Sequence, residues 1–332
     1  MRANMLLLLA NTMLLANALL PAAALAEGGG RAAEMEAAFM REHEHEMAAS
    51  RQLIASGNAP LDLVMLTDAQ SKDRGAVCLD GTNPGFYMTK GTGTGANKWV
   101  LYFKGGGWCY NEASCASRTK TSIGSAKLFT PTFAFSGPMD SNATVNPTFA
   151  NYNRVVLWYC DGASFSGDAD AVNHKTEVPL YFRGRRILDA MLDTLKADHG
   201  LDTAEEVLLS GGSAGGLAAY LHTDYVASQL PPSVKKFKSS PVSGFFLLHD
   251  DAKGTPLYPN EMEYVFNMQN STGGVNAKCI ASLPQAEQWR CIFANYSYAH
   301  VESPIFPLNS AIDAWQMGNV RHATPHQSRV NA

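Results

Sequence analysis

One short stretch limits the architectures open to this chain. Glu206-Val-Leu-Leu-Ser210 is a β-prone run that passes directly into Gly211-Gly212-Ser213-Ala214-Gly215, and a helical stretch to about Ser228 follows. Strand, sharp glycine turn and helix in immediate succession predict a crossover unit of a mostly parallel sheet. The turn reads G-x-S-x-G. In that setting the serine sits on a strained bend, with its hydroxyl at the C-terminal edge of the sheet and at the N-terminus of the next helix. The helix dipole and free N–H groups there favour developing negative charge. Ser213 is therefore the candidate nucleophile. The competing readings are a serine that merely caps the helix, or a phosphate-binding loop. A P-loop needs a Lys-Ser/Thr pair, which is missing, and a dinucleotide site needs G-x-G-x-x-G at an early strand.

The rest of the body repeats the alternation. Lys98-Trp-Val-Leu-Tyr-Phe103 is a second β-prone run and ends in Gly105-Gly106-Gly107, while Arg154-Val-Val-Leu-Trp-Tyr159 ends in Cys160-Asp161-Gly162. Apolar spacing through Ile187, Leu188, Met191, Leu192 and Leu195 predicts a helix over residues 182–199, with Gly200 just past its end. Pro304–Asn309 is a further strand candidate. The fold class is α/β, with a mostly parallel sheet and crossover helices in a single domain. Acyl transfer needs preorganised donors for the tetrahedral oxyanion. The N–H of Ala214 supplies one, and the turn Gly105-Gly106-Gly107-Trp108 stands where an earlier strand supplies the others. Asp313 follows the serine in a loop after a late strand, the place of a triad acid; an ordinary helix N-cap, with Trp315 and Gln316 in the first turn, is the competing reading. Asp161 and Asp168 precede Ser213 and so have the wrong chain order; Asp161 reads as a residue that structures its own loop.

Residues 1–26 read as a secretory signal peptide. Arg2 precedes an apolar run from Met5 to Leu20, and Ala22–Ala26 supplies the small-residue cleavage site. Asn11, Asn17 and Pro21 make the same run a poor membrane anchor, and no other segment is long and apolar enough. Residues 27–60 read as a leader, mobile or helical, and 61–332 as the folded domain. His43-Glu44-His45-Glu46 in the leader lacks the i,i+4 histidine spacing of a metal site and reads as a solvated helix face. The formal charge is −4, from 26 Lys+Arg against 30 Asp+Glu, without a long basic block, which argues against nucleic acid. In an oxidising compartment the six cysteines default to disulfides. Pairing Cys109 with Cys115 and Cys279 with Cys291 leaves Cys78 for Cys160, one of fifteen connectivities among which sequence does not choose. The sequons at Asn142, Asn270 and Asn295 fit the same compartment.

Four motifs in order carry a resemblance: Lys104-Gly-Gly-Gly-Trp-Cys109, Tyr159-Cys-Asp-Gly-Ala-Ser-Phe-Ser-Gly-Asp168, Ser210-Gly-Gly-Ser-Ala-Gly-Gly-Leu217 and Asn309-Ser-Ala-Ile-Asp-Ala-Trp-Gln316. From about Ala76 to Asn319 the chain resembles the pectin acetylesterase family, which includes the Notum carboxylesterases. The resemblance implies an α/β-hydrolase-like fold, secretion to the extracellular space or cell wall, and a Ser-Asp-His triad that needs no metal or cofactor. It implies Ser213 as nucleophile, Asp313 as acid and the N–H groups of Gly107, Trp108 and Ala214 as the oxyanion hole, and it favours the two short disulfide loops. The implied activity is deacetylation of a pectin-type polysaccharide. The alternatives are removal of an acyl group from a protein, or an inactive carbohydrate-binding relative.

The chain also departs from the family pattern. The family's triad histidine lies far downstream of the acid, whereas only His322 and His326 follow Asp313 here, so the sequence reads as a copy lacking the C-terminal part. Gly212, Thr223 and Ser239 stand where the family has cysteines, Lys104 replaces a glutamate, and Val242 replaces an aspartate.

Overall fold

The computed structural model describes residue 41 and residues 44–321. The signal peptide, the first part of the leader, His43, His322 and His326 lie outside the described residues. Seven strands form one sheet in the order β4-β1-β2-β5-β3-β6-β7. They are β1 (Leu61–Met65), β2 (Gly85–Thr89), β3 (Lys98–Phe103), β4 (Thr132–Phe133), β5 (Asn153–Leu157), β6 (Glu206–Gly212) and β7 (Lys236–Val242). The ladders β5–β3–β6–β7 are parallel, and β2, β1 and β4 extend the sheet antiparallel. The parallel part has more strands than the antiparallel part, and it carries the runs at residues 98–103, 154–159 and 206–210 that the sequence marks.

The helices are α1 (44–55), α2 (Glu112–Arg118), α3 (Gly184–His199), α4 (Ala214–Gln229), α5 (Leu257–Met268), α6 (Ala277–Ser282), α7 (Ala294–Ser297) and α8 (Ala314–Asn319). A strand's side chains alternate between faces, and here each face finds its own cover. Leu101, Phe103, Val155 and Leu157 pack with Ile187, Leu188 and Met191 of α3 and Leu217 of α4. Val100, Val156 and Trp158 turn the other way, onto Phe133 and Met47 of α1. Burial on both faces is why β3 and β5 read as unbroken apolar runs. Gly200, the residue placed just past α3, adopts φ 93°, a left-handed helix end that glycine accepts without a Cβ penalty.

Two local findings differ from the sequence reading. The candidate strand at residues 304–309 meets the sheet only through isolated parallel bridges, Ser239 to Ile305 and Val242 to Leu308. The leader's helix α1 is docked: Met47 enters a core cluster, Ser50 Oγ accepts the N–H of Ala134 at 2.9 Å, and Asn58 Nδ2 donates to the carbonyl of Phe135 at 2.7 Å. The disulfides are Cys78–Cys160, Cys109–Cys115 and Cys279–Cys291. Among the described residues, no helix is long and apolar enough to cross a membrane, and no group of His, Cys, Asp and Glu is arranged to hold a metal ion.

Candidate active site

The strand β6 must turn into α4 within one residue, and that residue is Ser213, at φ 56° and ψ −127°. A side-chain-bearing residue held there costs about 1–3 kcal/mol and persists only where its surroundings enforce it. They do so by close approach. A Cβ on Gly211 would lie 2.2 Å from the carbonyl oxygen of Gly215, and one on Gly215 would lie 2.1 Å from that of Phe103. The Ser213 N–H donates to Val242 O at 3.1 Å, and its carbonyl accepts from Leu217 N at 3.0 Å. Its side chain makes no capping hydrogen bond, which removes the capping-serine reading. Ser213 lines a cavity of about 350 Å³.

The second glycine turn lies beside the first. The peptide planes of Gly105–Trp108 are fixed from behind: Arg118 Nη1 donates to Gly106 O at 2.6 Å, and Tyr159 Oη donates to Gly107 O at 2.7 Å. A trans peptide points its N–H opposite to its C=O, so anchoring these carbonyls aims the N–H groups of Gly107 and Trp108 the other way. Among the described residues, neither N–H has a backbone or side-chain acceptor. Ala214 opens α4, where the first N–H groups have no intrahelical partner. Gly107, Trp108 and Ala214 are the three residues whose N–H groups the sequence reading named for an oxyanion.

Several supporting residues were not singled out by sequence reasoning. Arg118 is fully buried at the end of α2, its guanidinium 4.7 Å from the Tyr159 ring and its Nε bound to Ile123 O. The Cys109–Cys115 disulfide and an Asn111–Ser114 capping box hold that helix in place. Burial pushes the Tyr159 phenol far up, so it stays a donor. Ser164 is the clamp between the two turns: its Oγ accepts from Trp108 Nε1 and donates to Ala214 O, both at 2.8 Å. Its strained backbone, φ 54°, is held by Asp161, whose Oδ2 accepts the N–H groups of Ala163 and Phe165. Asp161 is therefore the loop-structuring residue that the sequence suggested, and burial raises its pKa to about 6. The type of these residues carried no signal; Tyr159, Asp161 and Ser164 stand in the second motif, whereas Arg118 lies outside all four.

Asp313 caps α8. Its Oδ1 accepts the N–H groups of Trp315 and Gln316 at 2.9 and 3.1 Å, and its Oδ2 accepts Gln316 Nε2 at 3.2 Å. The helix it starts leans on the oxyanion turn, with the Trp315 ring 5.7 Å from that of Trp108. Oδ2 keeps acceptor capacity for an imidazole, so the cap and the acid role are compatible. Among the described residues no histidine hydrogen-bonds Ser213 or Asp313. His222 bonds the loop beside the site: its Nε2 meets Ser164 O at 3.0 Å, and burial lowers its pKa to about 3.

Three of the positions that lack family cysteines have visible occupants. Thr223 Oγ1 donates to Ser239 Oγ at 2.8 Å, and the Tyr102 hydroxyl fills the space that a Gly212 side chain would need, 2.4 Å from its Cβ position.

The pectinacetylesterase family profile matches residues 54–331. Pectin acetylesterase 5 of Arabidopsis thaliana is 38% identical over 263 residues, 79% of this chain and 60% of that protein. Pectin acetylesterase 11 of the same plant is 38% identical over 81% of this chain and 66% of its own length. Human palmitoleoyl-protein carboxylesterase NOTUM is 29% identical over 72% of this chain and 49% of its own. The chain thus spans less than two thirds of the length of these relatives.

Proposed function

The chain belongs to the pectinacetylesterase family, and from that premise we propose that it is a secreted serine carboxylic-ester hydrolase that removes acetyl groups from a pectin-type polysaccharide. The observation that carries this reading is the strained, uncapped Ser213 beside two peptide N–H groups aimed by Arg118 and Tyr159. Ser213 Oγ attacks the acetyl carbonyl carbon, and the N–H groups of Gly107, Trp108 and Ala214 take up the oxyanion. The serine proton passes to a histidine oriented by Asp313 and then to the departing sugar oxygen. Water hydrolyses the acetyl-serine and releases acetate.

The cavity wall is mixed, with aromatic Phe133, Phe135 and Tyr102 and aliphatic Leu53 and Val242 beside charged Glu46 and Lys104 and hydroxyl-bearing Ser243; the charged pair is what supports a glycan over a fatty acyl chain. Three disulfides and the predicted signal peptide support an extracellular or cell-wall setting. A second reading, an acetyl-glycan binder without turnover, has one observation in its favour, the lack of a described histidine on Ser213. Incubating folded protein with a fluorophosphonate probe and p-nitrophenyl acetate, beside Ser213→Ala, separates the two. Labelling and turnover that vanish in the variant support the esterase; a folded protein that takes no label supports the binder.

A further inference from the structure

The cavity at Ser213 has one cationic and one anionic wall residue among the described residues, and they touch. Lys104 follows β3 at the root of the oxyanion turn, and only 5% of its side chain is exposed. A buried ammonium requires compensating charge, because desolvation costs it heavily. The sheet body offers it neutral partners only: Gly105 O at 3.0 Å and the face of Trp158, whose ring centre lies 5.4 Å away. The charge comes from α1, where Glu46 Oε1 sits 2.5 Å from Lys104 Nζ. This corrects the sequence reading of Glu46 as part of a solvated helix face. Glu46 belongs to an element at the cavity rim, and 31% of its side chain remains exposed. Its charge also reaches Tyr102, whose phenol is pushed up to about 12 by burial and then by Glu46.

We propose that Lys104 is a carboxylate-binding subsite beside the nucleophile, with Glu46 as its resident occupant, and that it selects acidic glycans, whose sugars carry a carboxylate, over neutral ones. The inference rests on reading the Ser213 cavity as the substrate cavity. A substrate carboxylate replaces the Glu46 carboxylate on the ammonium, so Glu46 acts as an intramolecular competitor. The exchange preserves the charge balance of the buried site, whereas a neutral sugar leaves the Glu46 pair in place.

The test is binding of de-esterified oligogalacturonate, which needs no turnover, against a neutral xylo-oligosaccharide of equal length, by calorimetry on the full chain. Glu46→Gln is expected to tighten oligogalacturonate binding about tenfold and to leave the neutral oligomer unchanged. Lys104→Met is expected to abolish the preference. Because Lys104→Met strands a carboxylate, the double variant Glu46→Gln/Lys104→Met, which removes both charges at once, serves as the folding-safe partner. Oligogalacturonate binding by that folded double variant equal to wild type overturns the subsite, as does the lack of binding in wild type and Glu46→Gln alike. Fluorophosphonate labelling of Ser213 is read separately, so a labelled protein without the acidic preference refutes the subsite and leaves the esterase reading standing.

Discussion

The half of the site around Ser213, the proposed nucleophile, and the half around Asp313, the proposed acid, are built by different means. Ser213 and its turn hang from the parallel ladder, where β6 registers with β3 from Lys98 to Phe103 and with β7 from Lys236 to Val242. The carbonyls of Gly106 and Gly107 each have a buried anchor, and Ser164 ties the two turns together. The acid half has little of this. Residues 304–309 touch the sheet through two bridges, Phe306 and Ile312 are 67% and 60% exposed, and the six-residue α8 is held by its Asp313 cap, by Trp315 against Trp108, and by Gln316, which bonds the N–H of Leu247 and the carbonyl of Phe245. An element with few buried contacts opens at low free energy. The proposed nucleophile and its donors thus hang from the sheet, whereas the proposed acid sits on a short exposed segment held by its own cap and a few side-chain ties.

The strongest way to break this comparison is to separate the two jobs of Asp313. Asparagine caps a helix as well as aspartate, so Asp313→Asn is expected to change stability by less than about 0.5 kcal/mol. As a triad acid its loss lowers turnover on the order of 10⁴-fold, since the histidine then has the wrong tautomer. Asp313→Ala adds about 1 kcal/mol of destabilisation from the lost cap. Full turnover in Asp313→Asn makes the residue a cap alone, and the acid half purely structural.

The opposite half is probed through its anchors. Arg118→Ala frees the Gly106 carbonyl and is expected to lower kcat on the order of 10²-fold with KM unchanged, the pattern of an interaction made in the transition state. Arg118 contacts no reacting atom in this scheme, so Arg118→Lys, which restores a donor, is expected to recover part of the loss. A change confined to KM, or to the melting temperature, shows that the turn keeps its geometry without the anchor.

How much of this was legible in the sequence follows the same division. The parallel strands β3, β5 and β6 and both glycine turns were readable because burial on two faces enforces apolar runs and because the bends allow no side chain at Gly211 or Gly215. The strand β7 escaped notice: Lys-Phe-Lys-Ser-Ser-Pro-Val carries two lysines and a proline, which outweigh its pairing with β6. Arg118, Tyr159 and Ser164 escaped because their role lies in long-range bonds to backbone carbonyls, which leave no local pattern. Glu46 was misread because helix periodicity cannot reveal a buried lysine 58 positions away.

A smaller effect sharpens the packing of the nucleophile turn. Gly212→Ala drives a methyl group onto the Tyr102 hydroxyl, 2.4 Å from the Cβ position, and is expected to cost about 1–3 kcal/mol by denaturant unfolding. Removing the hydroxyl in Gly212→Ala/Tyr102→Phe is expected to return part of that loss. Equal costs in the single and double variants mean that the backbone, not the phenol, sets the limit.

The smallest expected effect concerns pH, and it distinguishes the halves by burial alone. His222 lies under the nucleophile half with its pKa lowered to about 3, mainly by desolvation. Between that value and the ordinary 6.5 the unfolded chain takes up a proton that the fold refuses, so stability falls as pH drops through this window. Asp161, raised to about 6 by burial, acts in the reverse sense: below about 6 the fold holds a proton that the unfolded chain has lost, and stability falls as pH rises from the usual aspartate range. The two slopes oppose each other in mildly acidic solution. His222→Gln keeps a donor for Ser164 O and removes one slope, so the variant is expected to gain about 1 kcal/mol relative to wild type on going from pH 7 to pH 5.5 in urea unfolding. The donor also keeps Ser164 against Trp108 and Ala214, so kcat at neutral pH is expected to stay within about twofold. A variant with the wild-type pH profile shows that His222 titrates as a solvated histidine, and that the nucleophile half is looser than its hydrogen bonds indicate.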